Sequence, residues 1–487
     1  MIKNFTFSNL KYNFNFERQI QQHMGQIIFV FLLFISALAS AEGYKINLNI
    51  GSGANQKIKL ANYYIGNIYL KDSLQLDDSG AGVFQSDTLL PQGLYKIYLD
   101  DKNHFDFLLG ADQDFTMTRE SFTSADLEIT GSTETEEFAK YTLFMQNLQK
   151  KGAEINSKLK TANGEEKTGL QAEMSDLTRQ LHEYWFRVKD EYPNTFLSAF
   201  LLANYVPALD ITTLPTEVQK NDSLLLIERF YFQQKHYWDY FDYTDERFLY
   251  TPFFKPKLET WFNKVLFQNY DSIRPEVYQF IEDVRPSKRI FQFAVSWFLN
   301  ASINSNIMGM DALFVDLARK YYLSGQAFWT TEESMKKIRE NVAFAEHNLI
   351  GKTAPDLTLE NIDGEFINLH KIQSKITIVL IYEPDCSHCK VFVPQFHKDV
   401  YQQFKDKGLK VFAIYSMDKK EEWTEFLTKH NLYDWINVWD ETHISQFKIL
   451  YDARKTPAVY ILDENKKIIA KGMGVEQIGD LMKNLLN

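Results

Sequence analysis

The stretch Ile376-Thr377-Ile378-Val379-Leu380-Ile381-Tyr382, running into Glu383-Pro384-Asp385-Cys386-Ser387-His388-Cys389-Lys390, decides how the C-terminal part of this chain folds. A nearly unbroken apolar run is what a strand buried on both faces of a central sheet requires. Beyond it, Phe392, Phe396, Val400 and Phe404 recur every fourth residue, which predicts a helix from about Ser387 to Lys405 with one face turned inward. Leu409 to Tyr415 (LKVFAIY) reads as the next strand and EEWTEFLTKH as the next helix. AVYILD and KIIAKG then form a hairpin around Glu464 to Lys466. Residues 350–487 are therefore expected to form an α/β sandwich with the order β-α-β-α-β-β.

Upstream the pattern differs. From Tyr44 to about Ser132, short alternating runs such as YKINLNI, GLYKIYL and HFDFLL are separated by Gly, Asp and Asn, which predicts an antiparallel β-sandwich over 44–132. Residues 134–349 carry apolar residues three and four apart, as in EEFAKYTLFMQNLQ and MDALFVDLARKYY, and are expected to be an all-α domain. The chain is thus multidomain α+β, as its 487 residues also suggest for domains of roughly 100 to 200. With 53 Lys and Arg against 64 Asp and Glu, the net charge of −11 gives no global attraction for phosphate backbones, so nucleic acid is not an expected partner.

Residues 27–38 (IIFVFLLFISAL) form an apolar run shorter than the roughly 20 residues of a membrane span, and Ala39-Ser40-Ala41 follows it. Residues 1–41 are read as a signal peptide, with Met24 as an alternative start, and the expected compartment is periplasmic. The competing reading is a membrane anchor at 27–38.

The only two cysteines are Cys386 and Cys389. A helix start stabilises a thiolate through its unpaired N–H groups and dipole. Two intervening residues let Cys389 close onto Cys386 within one turn, so Cys386 can attack a disulfide and Cys389 can resolve the product. Two other readings stay open: a structural disulfide, and a metal site drawing on His388, His397 and His443. The second lacks the further Cys pair that structural zinc would ask for. Neither a cofactor nor a metal is expected.

These residues resemble a thioredoxin-fold domain of the TlpA/ResA type. Ile350 to Pro355 and the following LTLENIDGEFINL resemble that family's strand-turn-strand lead-in. Pro394 falls where the active-site helix carries its proline, and Lys390 matches a common choice after the second cysteine. Thr456-Pro457 matches the cis-proline that faces the cysteines and lines the substrate groove. The segment at 44–132, ending in ITGSTETEEF, resembles a domain of unknown function that precedes such redox domains in some gram-negative bacteria, and the helical block resembles its usual companion.

The resemblance implies a thiol-disulfide oxidoreductase acting on protein or peptide thiols, fed by a membrane electron donor if it is a reductase. It also exposes departures. Leu380 stands where thioredoxins keep a buried Asp, and Phe392 where ResA-like proteins place a Glu. Glu383 and Asp385 add negative charge that would raise the Cys386 pKa, or steer a basic substrate, while a protonated His388 would lower it as in the DsbA-type CPHC motif. Missing both carboxylates keeps an alternative alive, a non-catalytic binding or assembly protein with a vestigial redox domain.

Overall fold

The computed structural model describes residues 43–486, so the expected signal peptide and its apolar run lie outside the described residues. Two compact units are formed, and the helical stretch is shared between them. One comprises the described residues up to Thr213 with Lys235–Leu258, and the other Leu214–Gln234 with the described residues from Glu259 on.

In the first unit, two four-stranded sheets enclose one core. The first sheet has the order β4 (Ala81–Ser86), β1 (Tyr44–Ile50), β7 (Asp114–Arg119), β8 (Glu128–Thr130). The second has the order β3 (Asn67–Gln75), β2 (Lys57–Tyr64), β5 (Gly93–Tyr98), β6 (His104–Leu109). Alternation along β1 sends Ile46, Leu48 and Ile50 inward to meet Ile58 and Leu60 of β2 and Tyr95 and Ile97 of β5. Pairing is antiparallel except between β1 and β7, which run parallel. Alternation specifies strands but not their direction, so this pair was not readable from the sequence. Ser132 then caps the helix Thr133–Leu159, which pairs with Gly164–Glu191.

A buried lysine stands out in this unit. Lys257 is 8% exposed, and its Nζ donates to the Ala203 carbonyl at 2.7 Å. The Tyr237, Phe241 and Trp238 rings surround it at 4.9, 5.2 and 5.8 Å. Burial lowers its pKa from 10.5 to about 8.

The second unit contains the helices Tyr270–Asp283, Lys288–Ile303, Met310–Leu317 and Glu332–Ala345, followed by a seven-stranded mixed sheet. Its strands are β9 (Thr358–Asn361), β10 (Phe366–Asn368), β11 (Ile376–Tyr382), β12 (Leu409–Tyr415), β13 (Ile436–Trp439), β14 (Ala458–Leu462) and β15 (Ile468–Lys471), in the order β10-β9-β13-β12-β11-β14-β15. All seven residues of β11 are buried between parallel β12 and antiparallel β14. Ile376, Ile378, Leu380 and Tyr382 face one core with Cys389, Phe396 and Trp423, while Val379 and Ile381 face another with Phe412, Ile414 and Leu462. Two apolar layers, one per face, explain why the run is unbroken.

The outer edge of β15 is not open. Gly351 N donates to Ile468 O at 2.8 Å, and Ile468 N to Lys352 O at 2.9 Å.

After β12 the sequence order omits β13, the short helix Phe447–Leu450 and the C-terminal helix, all of which the structure adds. β13 is short and carries the buried Asn437 at its second position, donating to Leu432 O at 2.8 Å, so its apolar signature is broken. The helix Val475–Leu486 completes the layer, burying Val475, Ile478, Met482 and Leu486. The helix expected to reach Lys405 runs as Ser387–Phe396, then widens into a π-type turn over His397–Tyr401 just after Pro394, whose ring nitrogen has no hydrogen to donate.

Candidate active site

β11 ends at Tyr382 and the helix begins at Ser387, so Glu383 to Cys386 form the tight connection between them. Cys386 N donates to Glu383 O at 3.2 Å, and Cys386 itself is the N-cap residue with extended backbone angles (φ −64°, ψ 127°). Both cysteines are free thiols. They differ sharply in environment. Cys386 is half-buried, whereas Cys389, inside the first turn, is fully buried in the core against β11.

The electrostatics follow from these positions. Partial burial pushes the Cys386 thiol up, but the backbone N–H groups of Cys389 and His388, the Thr456 side chain and the neighbouring Cys389 thiol together bring it below the ordinary 9.0. Burial pushes Cys389 up to about 12; the Cys386 thiol adds to this, and the Glu383 backbone offsets part of it. One sulfur is therefore a half-exposed thiol of lowered pKa and the other a shielded, weakly acidic one.

Facing them is the loop before β14. Thr456-Pro457 is cis, and the Cys386 thiol donates to the Thr456 carbonyl at 3.4 Å. Cys386, Cys389, Thr456 and Pro457 are thus brought together, with Pro394 half-buried farther along the same helix. Glu383 is half-buried and turned aside, accepting from Ser416 Oγ at 3.0 Å. Asp385 and Lys390 are exposed.

His388 is also exposed, and its backbone N–H is what bears on the Cys386 thiol. The expected consequence separates ring from backbone. His388→Ala, which keeps the N–H, leaves the Cys386 thiolate titration unmoved when followed by ultraviolet absorbance. His388→Pro, tolerated in a first helical turn, removes that N–H and raises the pKa.

Leu380 is fully buried on β11 and Phe392 packs partly buried against the same core, so both positions where the resemblance implies a proton-handling carboxylate are apolar. Of the histidines weighed as metal ligands, His397 is committed elsewhere: its Nε2 lies 3.3 Å from Asp434 Oδ1 and 2.7 Å from Gln402 Nε2. Among the described residues no group of three or more His, Cys, Asp or Glu converges in a metal-holding arrangement. Sequence reasoning passed over Val391, Val459 and Met473, which line a cavity of about 950 Å³ beside His388 and Pro457. The Gly472-Met473-Gly474 turn between strand and helix was the available signal.

Residues 350–471 match the AhpC/TSA family. This segment is an AhpC/TSA thioredoxin-like domain. The match leaves residues 43–349 outside it. Thiol-disulfide oxidoreductase ResA of Bacillus cereus is 22% identical over 137 residues, covering 28% of this chain and 76% of that protein. Among solved structures, a domain of a possible thiol-disulfide isomerase from Cytophaga hutchinsonii is 35% identical, covering 28% of this chain and 92% of that one, with a TM-score of 0.27. A thioredoxin-like protein from Bacteroides caccae is 19% identical, covering 57% and 98%, with a TM-score of 0.45. The family match and the ResA relative relate the thioredoxin-like domain to thiol-disulfide oxidoreductases, at low identity.

Proposed function

We propose that the chain is an exported thiol-disulfide oxidoreductase that reduces disulfides in proteins or peptides, with Cys386 as nucleophile and Cys389 as resolving thiol. The observation that carries this reading is the asymmetry of the pair, an acidic half-exposed sulfur at a helix start beside a fully buried one held about 12. Cys386 thiolate attacks one sulfur of a substrate disulfide. The Cys386–substrate bond forms, the substrate S–S bond breaks, and the departing thiolate takes a proton from solvent. Cys389 then gives up its proton and attacks Cys386, forming the 386–389 disulfide and releasing the second substrate thiol. Two electrons pass from the protein dithiol to the substrate.

Apolar side chains at Leu380 and Phe392 leave no carboxylate at those positions for the Cys389 proton, so its acceptor is another group or water. Continuous turnover in an oxidising compartment requires a reductant, and a membrane-borne dithiol donor fits that need. Export and periplasmic residence rest on residues 1–41 of the sequence.

Insulin reduction by dithiothreitol, assayed with the full chain, tests the reading. Precipitation of the B chain accelerates when the pair is catalytic and stays at background when the redox domain serves only binding or assembly, the alternative that the missing carboxylates favour. A redox titration sets the direction. A potential near about −270 mV, as in thioredoxin, makes the pair a reductant, and one near about −120 mV, as in DsbA, an oxidant.

A further inference from the structure

The cavity beside His388 and Val391 does not end at Pro457. A second cavity, of about 520 Å³, continues from there to Ile303, Ser305 and Met308. The two share Pro457, Val459, Gly472, Met473 and Gln477, so they adjoin along one trough, which begins at Ser387 and His388, the two residues between the cysteines. Its near wall is the active-site helix. Its far wall is the loop between the helices Lys288–Ile303 and Met310–Leu317, which lies outside the segment matching the AhpC/TSA family.

Lys471 of β15 fixes that wall. Its ammonium pairs with the Asp311 carboxylate, at the start of Met310–Leu317, and donates to Asn348 O at 3.0 Å and Asn348 Oδ1 at 2.9 Å. Asn348 is 1% exposed and in turn donates to Leu450 O at 3.0 Å. The loop is thereby tied to the strand that carries Gly472 and Met473 at its end.

Both walls present apolar side chains to solvent: Val391 is 66% exposed, Met308 44% and Ile303 40%. Polar residues, Ser305, Asn306 and Gln477 among them, lie between these side chains, so the trough offers separate apolar contact points and not a continuous apolar patch. The occupant is constrained at one point, because its sulfur has to reach Cys386. Resting on the oxidoreductase reading, we propose that the trough takes an extended polypeptide with apolar side chains next to its cystine, and that Ile303–Met308 is its specificity wall. Met308 and Met473 are unbranched and adaptable, so selection is by hydrophobicity and not by one sequence. A folded protein holds most of its cystines and large apolar side chains in fixed packing, so a segment free to lie extended in the trough is most available in an unfolded or mispaired chain. The partner is a disulfide-bearing polypeptide that has not reached its native packing.

The test uses the full reduced chain and three oxidants: a short disulfide-linked peptide with Leu on each side of its cysteine, the same peptide with Ser, and dithiobis(nitrobenzoic acid). Partial burial of leucine in the trough makes the Leu peptide react about tenfold faster than the Ser peptide. In an Ile303→Ser/Met308→Ser double variant, with circular dichroism unchanged, the ratio falls close to one. Equal rates for the two peptides with the natural chain, or a tenfold ratio that survives the double substitution, overturn the trough. If none of the three oxidants oxidises the pair, the oxidoreductase reading itself falls and takes the trough with it.

Discussion

Cys389→Ser accumulates covalent mixed disulfides with protein substrates, and Cys386→Ser forms none. The first variant keeps the acidic, half-exposed thiol and loses the group that would release it; the second keeps only a sulfur buried in the core. The same asymmetry is measurable without a substrate. A pKa below 9.0 for Cys386 against about 12 for Cys389 gives Cys386 at least about a thousandfold more thiolate at neutral pH. The lower nucleophilicity of an acidic thiolate returns a factor of roughly sixteen to thirty of this. A net preference of roughly thirty- to sixtyfold remains before shielding is counted, so iodoacetamide labels Cys386 first. The midpoint of its alkylation-rate titration falls below pH 9, whereas Cys386→Ser shows a midpoint at far more alkaline pH. Equal labelling of the two sulfurs, read by peptide mass analysis, contradicts the assigned roles.

Replacing Lys257 by Met changes stability in a pH-dependent way. The folded chain holds this ammonium at a pKa of about 8 against an ordinary 10.5, so between those values the unfolded chain binds more protons and stability rises with pH. Below pH 8 the buried charge costs about 3 kcal/mol relative to the neutral amine, and that cost fades as pH approaches 10.5. Lys257→Met removes the titration but also leaves the Ala203 carbonyl without its donor. The informative quantity is therefore the stability difference between the natural chain and the variant. From pH 7 to 10.5 it shifts by about 3 kcal/mol in favour of the natural chain. Urea unfolding across that range, monitored by tryptophan fluorescence, reads it, and a difference independent of pH would place Lys257 in solvent.

How much of this was legible in the sequence depends on whether the signal is local. The unbroken run of β11 and the adjacent cysteine pair announce a buried strand feeding a helix, because both properties are written in consecutive residues. The exposed side chain of His388 was not legible, since the same letter between two cysteines serves either as a charged ring or as one backbone N–H. β13 escaped because Asn437 is buried there through bonds to nearby backbone, a polar residue in the place of an apolar one. The helix Val475–Leu486 does carry the spacing of Val475, Ile478, Met482 and Leu486, but Gly479 in its middle weakens the pattern. Ile303 and Met308 lie about 150 residues before Pro457, and nothing in either stretch refers to the other. Lys257 is hidden for a similar reason: a lysine reads as solvent-facing until the three rings around it are placed.

The covered edge of β15 has a bearing on how other chains can approach. An open sheet border offers a row of free amides and carbonyls to any extended strand, and so invites adventitious pairing and clumping. Here Gly351 and Lys352, at the entry to the domain, already occupy the Ile468 positions of that border. A visitor is refused backbone lodging at that border. If the chain handles unfolded polypeptides as proposed, this closes one of the sheet's two borders to recruitment into their aggregates.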